Sequence, residues 1–345
     1  MKDNIQQLVR KNILNLAPYS SARDEYEGKE GVFLDANENP FGIYNRYPDP
    51  QQLILKERLA EIKNVNVNQI FLGNGSDEVI DLAFRIFCEP NNDKALTFTP
   101  TYGMYEVSAN INAVELIKVP LNVDFQIDRN SVQPYFADAN LKLIFICSPN
   151  NPSGNLIISK DIEFILENFR GIVILDEAYV DFCPEASFAE KLLRYPNLII
   201  SQTLSKAWGL AGLRLGIALM NEELVALYNK VKAPYNISSI NQQVALETLN
   251  KTREFKEKVA LILIEKAKLI QELQMIKIVK KIYPSDANFL LVEVENANEL
   301  YSKLIAQKII IRNRNNVVSN CVRITIGTSE ENKIVVNALK ILSNG

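Results

Sequence analysis

Short apolar runs, separated by polar turns rich in Gly, Pro and Asn, recur through the middle of the chain. Ile70–Leu72, Ala95–Thr99, Ala113–Val119, Leu141–Cys147, Gly171–Val180, Asn197–Ile200 and Arg214–Met220 each read as a buried strand. Several are followed by helical periodicity. The clearest case comes after Gly73–Glu78, where Val79, Ile80, Leu82, Ala83 and Phe87 fall on one helical face. Strands alternating with helices predict a parallel α/β layer.

The flanking regions carry a different pattern. Asn4–Asn15 is weakly helical through Ile5, Leu8, Val9 and Ile13, and Leu16–Arg23 reads as an extended connector. Val32–Gly42 predicts a short strand entering a polar turn, and Gln51–Lys63 an amphipathic helix. One helix, about Glu185–Arg194, fits between the strands at Gly171 and Asn197. Tyr235–Gln274 is mainly helical and is positioned to lead into a second domain. There, strands at Asn288–Val294, Ile309–Arg312 and Cys321–Ile326, with helices near Asn298–Gln307 and Glu330–Leu342, predict a small α+β unit.

Composition narrows the class. At 345 residues, 47% hydrophobic and 23% charged, the chain is expected to fold as a two-domain globular protein. A net charge of −3 offers no general attraction to nucleic acid or an anionic membrane. The longest apolar runs are too short to span a bilayer, and Met1–Gln7 lacks the apolar core of a signal peptide. Cys88, Cys147, Cys183 and Cys321 are scattered without paired spacing, so a reduced, cytoplasmic protein without a metal site is expected. The chain has no histidine. Ser-His and Cys-His nucleophile pairs are thereby excluded, and proton transfer falls to Lys, Tyr, Asp, Glu or a cofactor.

The candidate chemistry centres on Ser201–Arg214. Lys206 sits among Leu204, Ala207, Trp208, Leu210, Ala211 and Leu213, and a desolvated lysine has a lowered pKa. A neutral amine can attack a carbonyl and hold it as a Schiff base. Thr203, Ser205 and Arg214 suit a phosphate. Gly75 and Ser76 open a predicted helix, where free backbone N–H groups favour an anion, although Ser76 also suits an ordinary cap with Asp77 and Glu78 in the first turn. Tyr102 follows a strand end and could stack on a ring or merely pack under the next helix. Asn151 lies in a Pro- and Gly-bounded loop, and Asp176 ends an apolar strand, where a salt bridge is the alternative role. Asn151, Asp176 and Lys206 thus all approach strand carboxyl ends, where open parallel sheets bind ligands. Arg323, inside a strand, either faces a ligand or partner or lies on an exposed sheet face.

These fragments occur in order from about Asn15 to Thr328: Asn15–Arg23, Asp35–Pro40, Asn45–Asp49, Gly75–Glu78, Pro100–Tyr105, Pro149–Gly154, Asp176–Tyr179, Leu204–Arg214 and Val322–Gly327. Together they resemble the fold-type-I pyridoxal 5′-phosphate (PLP)-dependent aminotransferases, and within them the histidinol-phosphate subfamily. The resemblance implies an α/β large domain with a mostly parallel seven-stranded sheet, over residues 31–235, and a smaller α+β domain over 236–345. It implies a leading segment, residues 1–30, that packs with the small domain. Lys206 would be the Schiff-base lysine, Asp176 the partner of the ring nitrogen, Tyr179 and Asn151 donors to the ring oxygen, and Tyr102 the stacking aromatic. Gly75, Ser76, Asp77, Thr203, Ser205 and Arg214 would complete the cofactor site, with Tyr47 reaching the phosphate of a neighbouring subunit in a homodimer. Tyr19, Asn37, Arg312 and Arg323 match substrate-contacting positions. The implied reaction is transamination of L-histidinol phosphate with 2-oxoglutarate, giving imidazole-acetol phosphate and glutamate. Aromatic or broad-specificity aminotransferases and threonine-phosphate decarboxylases are the alternatives on the same fold. A PLP-binding DNA-binding regulator is disfavoured by the absence of a basic leading module, and a Rossmann protein by the absence of Gly-x-Gly-x-x-Gly. Trp208 stands where the subfamily usually has Phe, and Ser153 where Thr is common; both keep the chemical type.

Overall fold

The computed structural model describes residues 5–19 and 31–344. Seven strands, β1 (Ile70–Asn74), β2 (Lys94–Thr99), β3 (Glu115–Pro120), β4 (Leu141–Cys147), β5 (Ile172–Asp176), β6 (Leu198–Thr203) and β7 (Leu215–Met220), form one sheet in the order β1-β7-β6-β5-β4-β2-β3. All run parallel except β7, which is antiparallel to both β1 and β6. The reason lies in the connection. Only residues 204–214 separate β6 from β7, with no crossover helix, and a parallel return needs about a dozen residues or more.

The central strands read as continuous apolar runs because both faces are covered. Ile144, Ile146, Val173, Leu175, Leu198 and Ile200 join a cluster on one face with Leu55, Leu59, Ile162 and Ile165 from helices Leu53–Lys63 and Ser159–Asn168. Leu143, Phe145, Ile172, Ile174 and Ile199 point the other way, toward Val79, Ile80 and Ala83 of helix Ser76–Phe87 and Leu224 and Tyr228 of helix Glu222–Val231. Each fully buried Ile or Leu in these layers contributes about 1.5–3 kcal/mol.

A second sheet, entirely antiparallel, has the order β10-β11-β9-β8, with β8 (Val279–Ile282), β9 (Phe289–Val294), β10 (Arg312–Asn313) and β11 (Cys321–Thr325). Its apolar face packs on Leu269 and Leu273 of the long helix Thr252–Gln274, on Leu300 and Leu304 of helix Ala297–Ala306, and on Leu339 of the C-terminal helix.

Several elements depart from the sequence pattern. Val32–Leu34 forms no strand. The expected helix at Glu185–Arg194 is instead two 3₁₀ turns, Pro184–Ala186 and Ala189–Lys191. There the buried Glu177 carboxylate accepts from the Phe188 N–H and the Ser187 hydroxyl, holding the backbone in a turn. Asn4–Asn15 breaks into a 3₁₀ turn and the short helix Lys11–Leu14 at Arg10, whose N–H donates to the Ile86 carbonyl. Within the described part of the leading segment, Ile5, Val9 and Ile13 join the cluster beneath the larger sheet. Ile237, Ala245 and Leu249 also pack into a larger-sheet cluster, so the smaller unit's own core starts in the long helix rather than at residue 236. The strand expected at Ile309–Arg312 is limited to Arg312–Asn313. β8 has only Val279 and Ile282 as an apolar signal, with Lys280 and Lys281 between them on an edge strand where charge discourages further pairing.

Candidate active site

One edge of the larger sheet collects the ends that matter. β1 leads to Ser76, β2 to Tyr102, β4 to Asn151 and β6 to Lys206, and β5 ends on Asp176 itself. Because β7 runs in reverse, its amino end reaches the same edge and delivers Arg214. A cavity of about 370 Å³ opens there, lined by Ser76, Asp77, Tyr102, Cys147, Asn151, Asp176, Tyr179, Thr203, Ser205, Lys206 and Arg214. The second sheet closes it with Arg312, Arg314 and Arg323. A larger depression, about 830 Å³, lies along Lys206–Leu210 and the long helix, but its charged lining residues Lys251, Glu254, Lys258 and Glu265 come mostly from that solvent-facing helix.

The turn between β1 and its helix is shaped for close approach. Gly75 adopts φ +78°, and a Cβ on it would stand 2.6 Å from Nη2 of Arg214. A Cβ on Gly216 of β7 would meet the carbonyl carbon of Gly75 and the nitrogen of Ser76, each at 2.3 Å. Glycine at both positions lets the helix N-terminus, the Arg214 guanidinium and the β6–β7 turn share one corner. Arg214 is itself left-handed, with φ +49°, and its Nη2 lies 3.4 Å from Oδ2 of Asp77. The Thr203 hydroxyl accepts from the Ser205 N–H at 3.1 Å and donates toward Ser205 Oγ at 3.0 Å. This corner offers two hydroxyls, a guanidinium and the free N–H groups of a helix start: an anion cradle.

Asp176 faces the cavity from a buried position. Its Oδ2 accepts from the Tyr105 phenol at 2.7 Å and its Oδ1 from the Ala178 N–H at 3.1 Å. Burial pushes its pKa up to about 6 against the pull of those two donors. Among the described residues no lysine or arginine pairs with this carboxylate, so a protonated ring nitrogen fits in front of it. The Lys206 ammonium lies 5.6 Å from the centroid of the Tyr179 ring. Desolvation, then the nearby Arg323 charge, lowers the Lys206 pKa, favouring the neutral amine. Tyr102 donates to Oδ1 of Asp77 at 3.1 Å and sits edge-on to Tyr105. Arg323 crosses from the second sheet, donates to the Asn151 side-chain oxygen and stacks over Phe289 at 5.1 Å.

The cavity brings together Ser76, Asp77, Tyr102, Asn151, Asp176, Tyr179, Thr203, Ser205, Lys206, Arg214, Arg312 and Arg323, with Gly75 at the corner where a Cβ would meet the Arg214 guanidinium. Tyr19, Asn37 and Tyr47 lie outside it. Tyr19 is exposed beside Pro50 and Lys230, Asn37 is exposed with φ +53°, and Tyr47 stacks on Tyr235 with centroids 4.5 Å apart. The expected role of Tyr47 is in a neighbouring subunit's site, and it stands clear of its own. Part of the Asn15–Arg23 motif falls outside the described residues. Sequence reasoning missed Tyr105 and Arg314. Tyr105 follows Tyr102 by three positions into a helix, and Arg314 follows Arg312 by two along an extended segment, so helical and strand periods would have placed each on its neighbour's face.

Comparison with known proteins gives a consistent picture. The sequence profile described as "Aminotransferase class I and II" matches residues 25–339. The chain is 52% identical over 343 residues to a histidinol-phosphate aminotransferase of Parabacteroides distasonis, covering 99% of both chains. It is 51% identical to that of Christiangramia forsetii over 351 aligned positions, covering 100% of both. Its fold is similar to the crystal structure of the histidinol-phosphate aminotransferase from Clostridium acetobutylicum, with a TM-score of 0.80, 27% identity, and coverage of 90% of this chain and 98% of that one.

Proposed function

The chain belongs to the class I and II aminotransferases, and on that footing we propose that it exchanges the amino group of L-histidinol phosphate with 2-oxoglutarate, in histidine biosynthesis. The products are imidazole-acetol phosphate and glutamate. What carries the reading is full-length likeness to histidinol-phosphate aminotransferases combined with a cavity whose lining holds five cations, Lys206, Arg214, Arg312, Arg314 and Arg323, against two carboxylates, Asp77 and Asp176. Such an excess suits a phosphorylated cofactor together with a phosphorylated or dicarboxylic substrate, and is more than a neutral aromatic side chain calls for.

The residues present fit PLP. Gly75 and Ser76 backbone, Thr203, Ser205 and Arg214 would hold its phosphate and Tyr102 would cover its ring, while Asp77 orients Tyr102 and Arg214. Bound PLP supplies a ring that accepts electrons from the substrate's α-carbon. Asp176 would keep the ring nitrogen protonated. Asn151 gives its side-chain oxygen to Arg323, which leaves its amide to donate to the ring oxygen alongside Tyr179. Lys206 anchors the cofactor at rest. Its amine would serve as the general base for the substrate's α-proton, a task its lowered pKa favours. Arg312 and Arg323 hold the substrate's anionic group.

We further take the protein to act as a cytoplasmic homodimer. Val32, Leu34, Phe41, Ile43 and Tyr44 form a largely exposed apolar stretch, which a second copy would cover. Among the described residues no helix is long and apolar enough to cross a membrane.

The deciding experiment compares kcat/KM for histidinol phosphate, phenylalanine and threonine phosphate in the purified enzyme. Preference for either of the latter two would overturn the substrate assignment. Lys206→Ala is expected to abolish the visible absorption of the bound cofactor and to lower turnover by about 10²–10⁴-fold or more, as removal of a general base does.

A further inference from the structure

The register of the second sheet sets Arg312 directly opposite Arg323. The ladder then runs one residue beyond β10, where the Arg314 N–H donates to the Cys321 carbonyl at 2.9 Å. Side chains two apart on an extended segment share a face, so Arg312, Arg314 and Arg323 project together, and all three line the cavity. Like charges opposite one another destabilise a sheet. Among the described residues no carboxylate pairs with any of the three, and the Nε atoms of Arg314 and Arg323 are buried without a hydrogen-bond partner. The cavity's own carboxylates are engaged elsewhere, Asp77 by Arg214 and Tyr102, Asp176 by Tyr105 and the Ala178 N–H. Burial first, and then Arg323 and Arg312, pull the Arg314 pKa down to about 10, so its surroundings already resist positive charge.

Arg323 is tied to Asn151 beside the ring site, and Arg312 is exposed at the sheet edge. Arg314 is half-buried, and its side chain makes no hydrogen bond to the protein. It therefore has a free guanidinium fork, the geometry that matches two oxygens of a phosphate. On the premise of the reaction proposed above, we propose that Arg314 is a specificity-determining residue that binds the phosphate of the amino donor. It gives phosphorylated donors their advantage over carboxylate-bearing or neutral ones.

The test uses Arg314→Gln and Arg314→Lys holoenzymes, assayed with histidinol phosphate and with histidinol, its dephosphorylated counterpart. Both are also titrated calorimetrically with phenyl phosphate, an amine-free phosphomonoester, and with benzoate. Loss of one charge-assisted contact predicts a KM for histidinol phosphate raised about 10- to 100-fold in Arg314→Gln, with kcat changed by less than about threefold. Phenyl phosphate affinity should fall by a similar factor, while benzoate affinity and kcat/KM for histidinol stay within about threefold. Arg314→Lys should recover part of the loss, since an ammonium keeps the charge without the fork. Equal losses on histidinol phosphate and histidinol, or unchanged phenyl phosphate affinity, would overturn the proposal. If Arg314→Gln does not fold, the same two ratios in Arg314→Lys decide. A wild-type enzyme inert toward histidinol phosphate would sink the reaction itself, and the phenyl phosphate titration would still judge Arg314.

Discussion

The Tyr105 phenol donates to Oδ2 of Asp176 across 2.7 Å, and both groups are buried. The carboxylate proposed to face the cofactor ring is thus held from behind by a donor from a different layer, the helix Met104–Ile111. Removing it in Tyr105→Phe leaves the Ala178 N–H, among the described residues, as the one remaining donor to a buried charge. The loss of a hydrogen bond to a charged group, about 1.5–3 kcal/mol, corresponds to about one to two pKa units. The Asp176 pKa is expected to rise further, and the acid limb of the kcat/KM profile to move to higher pH by about that amount. A variant with an unchanged profile but lower kcat would show that Tyr105 only fills space.

Asp176 also predicts how the cofactor stabilises the fold. Its proton is held to about pH 6 in the folded chain, against an ordinary value of 3.8. Between those values the folded state binds more protons than the unfolded state, so this group's contribution to stability falls as pH rises through that window. Below pH 3.8 the full contribution is present, and above about 6 it is gone. A cationic ring nitrogen reverses this by pairing with the ionised form. Melting curves of cofactor-free and cofactor-loaded protein should therefore separate more at pH 7.5 than at pH 5, with Asp176→Asn abolishing the difference. A separation independent of pH would contradict it.

Gly216→Ala tests the corner proposed to hold the cofactor phosphate. The added methyl would sit 2.3 Å from the backbone of Gly75 and Ser76, which cannot swing aside as a flexible side chain can. Overpacking of this kind costs about 1–3 kcal/mol. The expected outcome is a lower melting temperature together with weaker PLP binding, measured by fluorescence titration. Loss of stability with unaltered PLP affinity would detach this glycine from the site.

The dimer is testable at the exposed stretch. Ile43→Asp places a charge in the surface that the proposed second copy covers, and sedimentation should show a shift toward monomer. Because Tyr47 is expected to serve the neighbouring subunit, PLP affinity should weaken as the dimer dissociates. A wild-type protein that sediments as a monomer would remove the basis for both expectations.

Much of the site was legible in the sequence because parallel strands covered on both faces read as unbroken apolar runs. The ends of those runs mark where Asn151, Asp176 and Lys206 must emerge. The phosphate corner was legible for a similar reason, since glycine and hydroxyl residues cluster where a helix start or tight turn needs them. Contacts between distant parts of the chain were not. Tyr105 and Asp176 are 71 positions apart, and nothing in either local pattern announces the other. The reversal of β7 followed from a connection too short for a crossover, but only the assembled sheet shows that it carries Arg214 to the shared edge. A two-residue strand such as Arg312–Asn313 has no period to read, so the convergence of Arg312, Arg314 and Arg323 became visible only through pairing with β11. Local periodicity and turn chemistry are written along the chain and determined which residues point inward at each strand end. Which charges then meet, and which are left for a ligand to neutralise, depends on register and packing between elements, and only the tertiary structure decided it.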